Sequence, residues 1–118
     1  MRYEEIPYLS RSEIKDRLEH GEENDVIIAM LSAALYDEDA GWIEQICLRS
    51  LDSPVFNIRA IAMTSLGHVA RIHGRLDLPT VNKKLCDVEC DPDIADYVRL
   101  LREEIEWWII KRDEREGV

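Results

Sequence analysis

Two pairs of side chains in this chain have the types that metal binding and proton transfer use. His68 and His73 share one apolar segment. Five residues of helix turn through about 140°, so the two imidazoles point away from each other and cannot hold one ion. Cys86 and Cys90 are four apart and share a helix face, but no second cysteine pair or nearby histidine completes a four-ligand set. With Cys47 they form an odd count on apolar helical stretches, which reads as reduced, buried thiols in a reducing compartment. The sequence contains no GxSxG, phosphate-binding loop or dinucleotide fingerprint. The expectation is a protein with no catalytic set, no metal and no cofactor, working by binding.

The residues that do accumulate are acidic. The net charge is −10, and by count residues 21–57 carry eight acidic and one basic side chain, residues 87–106 eight and two, whereas residues 58–86 carry one and five. A surface of this sign repels nucleic acid and steers a basic partner, although helical domains are also acidic for solubility alone. Asp37, Glu38 and Asp39 beside Trp42 hold more carboxylates than one helix cap requires, and a tryptophan bordered by charge is a common interface anchor. Asp91, Asp93 and Asp96 form a second acidic turn, where Asp91, like Asp52, also reads as a cap. Trp107 and Trp108 are adjacent and cannot both enter one core; Trp108 follows Leu101 and Ile105, which leaves Trp107 at the edge or surface. The candidate partner-binding residues are therefore Asp37, Glu38, Asp39, Trp42, Asp91, Asp93, Asp96 and Trp107.

These turns must be positioned by helices, because apolar residues recur at three and four and never alternate in twos. Residues 1–9 read as an irregular lead-in whose Ile6, Tyr8 and Leu9 can dock on the first helix, and 113–118 as a polar tail. Ser10 to Glu13 spells a capping box, and Gly21 ends the helix it opens. Asn24 or Asp25 can cap the next helix. The segment Leu51–Gly74 is the expected hub: Pro54 opens it, Gly74 closes it, and Val55, Ile58, Ala62, Leu66, Val69 and Ile72 step along one face. Gly67 in its middle suggests a close helix crossing. The class is all-α, with about six antiparallel helices stacked as HEAT-like pairs in a short solenoid forming one domain over 1–118. Arg59 and Arg99, 40 residues apart, each follow an Asp/Pro turn and each can bond acidic turn residues. No apolar run approaches the roughly 20 residues of a membrane span, and the N-terminus lacks the pattern of a signal peptide, so the protein is expected in the cytoplasm, off membranes.

Residues 29–78 carry Ser32-Ala33-Ala34 with Tyr36-Asp37, Trp42 with Cys47-Leu48, and the run Ser65 to Asp77. This pattern resembles a family of small bacterial HEAT-repeat-like proteins, some of which look like immunity proteins of contact-dependent growth inhibition; residues 1–20 and 100–118 depart from it. The resemblance implies an immunity protein that binds a cognate toxin domain in the cytoplasm and masks its basic active-site or substrate surface. Such toxins are often nucleases, with a ribonuclease favoured here, and an acidic surface complements them. No homo-oligomer is expected. The alternative is a helical-repeat adaptor whose acidic turns serve only capping and solubility.

Overall fold

The computed structural model describes residues 5–112. Among them lie six α-helices and no strand: α1 (Arg11–His20), α2 (Glu23–Tyr36), α3 (Ala40–Ser50), α4 (Phe56–His73), α5 (Leu78–Val88) and α6 (Ala95–Ile105), followed by a π-helical turn at Glu106–Ile110. The all-α class is as expected, and the polar tail at 113–118 lies outside the described residues. The molecule measures 46 × 31 × 24 Å, nearly twice as long as it is thick, as a row of packed helices is.

Local chemistry accounts for most boundaries. Ser10 Oγ accepts from the Glu13 N–H at 3.2 Å while Glu13 Oε1 accepts from the Ser10 N–H at 3.3 Å, so the capping box forms. The second helix starts earlier than expected, at Glu23; Asp25 sits in its first turn and its carboxylate takes the Glu22 N–H at 3.1 Å. Asp39 and Asp77 are side-chain caps of α3 and α5, accepting from Trp42 N–H and Thr80 N–H at 3.1 and 3.4 Å. Gly74 closes α4 at φ +67°, the left-handed conformation in which any Cβ is strained.

Helix α4 is the hub. It packs against α2, α3, α6 and the π turn, and Ala60, Ala62, Met63, Leu66, Val69 and Ala70 are all buried. Gly67 lies under the Glu104 side chain of α6: a Cβ there would lie 2.8 Å from a Glu104 carboxylate oxygen. Pro54 stands just outside the helix, with Val55 at the cap position. Ile72, expected on the buried stripe, is exposed. From Leu66 the stripe advances by two steps of three, which falls about 120° behind a 3.6-residue period and carries Ile72 off the core face.

Polar side chains fasten the ends. The Arg59 guanidinium donates to the Ser53 carbonyl at 3.0 Å and reaches Asp91 at 3.4 Å, joining the turn before α4 to the turn before α6. Arg59 thus does what was expected of it, whereas Arg99 pairs only along its own helix, with Asp96 at 3.8 Å and Glu103 at 3.3 Å. Glu44, almost wholly buried on α3, accepts the Asp77 N–H at 2.7 Å and so fixes the α4–α5 turn. In the lead-in, Ile6 and Leu9 are buried but Tyr8 is exposed, resting edge-on to Tyr36 at 6.1 Å. Leu9 N–H donates to the buried Ser32 Oγ at 3.0 Å.

Replacing Arg59 with Ala removes two bonds from a charged donor that is largely shielded from water, and should lower the unfolding free energy by about 1–2 kcal/mol. Lys, which lacks the forked donor, should recover less than half of it in urea denaturation at pH 7.

Candidate functional site

Helices that alternate in direction deliver their turns to two ends, and the eight candidate residues divide between those ends and α6. The ties Asn57–Glu23 (3.3 Å), Lys84–Asp52 (2.5 Å) and Arg59–Asp91 (3.4 Å) gather the turns before α2, α4 and α6 at one end. The α2–α3 turn lies at the other, where His73 at the end of α4 acts electrostatically on Asp37.

At that second end the structure brings Asp37, Asp39 and Trp42 together around a residue the sequence reading passed over, Arg11. Its Nε and Nη2 donate to the two Asp37 oxygens at 3.0 and 2.9 Å, Nη2 lies 3.5 Å from Asp39, and the guanidinium carbon sits 4.4 Å from the centre of the Trp42 ring. Asp37 also accepts the Asp39 N–H at 2.8 Å. The hydrogen bonds from Arg11 hold the Asp37 carboxyl below the usual carboxylate range, against a smaller opposing effect of burial. The surplus of carboxylates is therefore largely used internally: Asp39 caps α3, Asp37 binds Arg11, and Glu38 is left exposed. Nothing in the spacing of Arg11, 26 residues before Asp37, announced this pairing.

At the first end Asp91, Asp93 and Asp96 lie on or beside the turn into α6. Asp91 accepts the Asp93 N–H at 2.9 Å, Asp93 is exposed, and the Asp96 side chain is 88% exposed, with Arg99 at 3.8 Å. Neither Asp52 nor Asp91 is a helix cap; those positions belong to Val55 and Ile94. Their carboxylates are spent between helices instead, on Lys84 and Arg59.

Trp107 is half exposed and meets Trp108 edge-on at 6.4 Å, with Trp108 partly buried, the division expected of the pair. The π turn that carries them was not foreseen. Its Lys111 N–H bonds the Glu106 carbonyl at 2.8 Å, five residues back, which inserts one residue relative to α-helical register.

The thiols need correction. Cys47 is buried, and burial raises its pKa, which keeps it a protonated core thiol. Cys86 and Cys90 are exposed. The core-facing residues of α5 are Val81 and Leu85, and Cys86 is one position on, about 100° around the helix, with its sulfur 3.8 Å from Arg102; Cys90 lies in the turn beyond. Among the described residues no group of three or more His, Cys, Asp or Glu is placed to hold a metal. No helix among them is long and apolar enough to cross a membrane.

Fold and surface together define an all-α domain with charged ends and a partly exposed aromatic pair. No family model and no curated protein matches the sequence. Among solved structures, a chain in the crystal structure of the CDI complex from Cupriavidus taiwanensis LMG 19424 is similar to it, with a TM-score of 0.80 and 25% identity over 92% of this chain and 97% of that one.

The Arg11–Asp37 pair makes stability acid-sensitive. A carboxyl whose folded pKa is depressed contributes stability that is complete above its unfolded value and disappears as pH falls through the folded one. The difference in stability between wild type and Asp37→Asn should be constant above about pH 4 and shrink below it. Denaturant titrations across pH 2–7 check this; a difference that stays flat to the lowest pH would remove the pair from the account.

Proposed function

We propose that this chain is an immunity protein that binds and neutralises a cognate toxin domain, most simply a nuclease and in the first instance a ribonuclease. The observation that carries this reading is the similarity, over nearly the full length of both chains, to a component of a CDI complex. The charge of −10 supports it, since a basic substrate surface is the feature a nuclease must present and an acidic protein can cover. The protein acts without catalysis, in the cytoplasm, as a monomer that presents carboxylates where the toxin would otherwise take a phosphate backbone. We read α1–α2, α3–α4 and α5–α6 as HEAT-like pairs, a reading supported by the way Arg59 of one pair reaches the turn of the next.

Of the eight candidates, Glu38, Asp39, Asp93, Asp96 and Trp107 are exposed; Asp39 is taken up by the cap of α3 and by Arg11, and the other four can meet a partner directly. Asp91 acts from beneath them, shaping its turn. Asp37, Asp39 and Trp42 hold the α2–α3 turn in place through Arg11, the internal use that the adaptor reading anticipates for this turn. The near full-length likeness to a chain of a CDI complex favours a toxin partner over a general adaptor.

Co-expression with the toxin domain encoded beside this chain's gene should restore growth, and purified protein should suppress that domain's cleavage of RNA. Combined Glu38→Lys, Asp93→Lys and Asp96→Lys reversal should slow association about tenfold or more at low salt, an effect that fades as salt screens the charges. Absence of both rescue and binding by the wild-type protein would sink the immunity reading. A tight complex that leaves the three-site variant unaffected would sink the acidic-masking part alone.

A further inference from the structure

The even-numbered helices leave one side of the molecule open. Ile27 and Leu31 of α2, Ala60 and Ile61 of α4 and Tyr97 of α6 line a groove of about 520 Å³. On α4 the strip Asn57, Ile61, Thr64, His68 and Ile72 repeats at three and four residues and lies opposite the buried face. On α6 the matching strip is Tyr97, Leu100 and Glu104, with Leu100 47% exposed and Glu104 lying over Gly67. Phe56, also exposed, meets Tyr97 edge-on at 6.0 Å and extends the apolar wall past the mouth of the groove.

The polar members of the lining are already occupied. The Thr64 hydroxyl donates to the Ala60 carbonyl at 3.1 Å, and the Asn57 amide donates to Glu23 at 3.3 Å. The floor therefore asks for apolar contact. Its border asks for positive charge: Glu23 stands at the α2 side, Asp96 precedes Tyr97, and Glu104 follows one turn beyond Leu100. A carboxylate has about four acceptor sites, so the single bond from Asn57 leaves Glu23 able to take a further donor. Among the cations nearby, Arg59 is taken up by Ser53 and Asp91, Arg99 by Asp96 and Glu103, and Arg71 meets His68 at 3.1 Å and acts electrostatically on Glu104, which leaves Glu23 the least matched of the border.

Resting on the immunity reading above, we infer that this groove seats a segment of the toxin domain that carries a large apolar side chain flanked by Lys or Arg. The apolar residue fills the space between Ile27, Ile61 and Tyr97, and the flanking cations reach Glu23 and Asp96. A second copy of this chain is disfavoured as the occupant, because it would bring like charge against a bordering row of carboxylates in a protein of net charge −10. The two ends supply long-range attraction, and the groove supplies the contact that keeps the complex together.

The test measures binding of the full-length chain to the toxin domain encoded beside its gene, together with thermal unfolding of every variant. Leu100→Asp, at an exposed position, and Tyr97→Ala should each weaken affinity at least tenfold, mainly through faster dissociation. Glu23→Gln with Asp96→Asn should weaken it less and lower its dependence on salt. Lys15→Glu on the exposed side of α1 is the control and should not reduce affinity. Wild-type binding that survives Leu100→Asp and Tyr97→Ala in folded protein overturns the groove while leaving the immunity reading intact. Failure of the wild type to bind overturns both. A concentration-dependent dimer of the chain alone that Leu100→Asp disperses would assign the groove to a second copy and overturn the inference.

Discussion

The burial of α4 on three flanks is the constraint from which the other positions follow. A helix can be surrounded only if its neighbours come close, and Ala60, Ala62, Gly67 and Ala70 keep its surface low where α2, α3 and α6 approach. Each of those neighbours is amphipathic or apolar and would expose its own stripe without α4. The short connections then leave little freedom in where the turns fall, so the acidic turns are carried to the two ends by the packing of a helix that carries few charges itself.

How the turns use their carboxylates is the less obvious result. Asp37 holds Arg11, Asp52 holds Lys84, Asp91 holds Arg59, and Asp39 and Asp77 cap helices. The count of 25 acidic side chains therefore overstates the free carboxylates offered to a partner at these turns, since several are matched within the molecule by cations that the net charge of −10 already includes. Among the described residues, Asp39 and Asp52 are exposed but committed to a helix cap and to Lys84, whereas Glu38 at one end and Asp93 at the other are exposed without such a commitment, and Asp96 meets only Arg99 on its own helix.

The helices were legible because their signals are local. Ser10 with Glu13, Gly74 and the three-and-four spacing of Leu66 and Val69 each act within a turn or two of chain. Gly67 pointed to a close helix crossing, and what lies over it is the end of the Glu104 side chain. Contacts across the fold were not legible: Arg11 with Asp37 and Glu44 with Asp77 are separated by 26 and 33 residues, and no spacing rule connects them. Cys86 and Ile72 failed for a related reason, since an apolar neighbourhood in sequence does not say which side of a helix has a neighbour in space. The groove went unread because Ile27, Ile61 and Tyr97 look like core residues until it is known that no helix among the described residues covers their side.

The π turn at Glu106–Ile110 has a bearing on how such a molecule changes over generations. It sits just after the last buried residue of α6, Ile105. One residue added there turns everything after it by about 100° and leaves the core before it untouched. A single codon gained or lost there thus re-aims the Trp107–Trp108 pair, and only the packing of Ile109 and of the turn on α4 has to adjust to it.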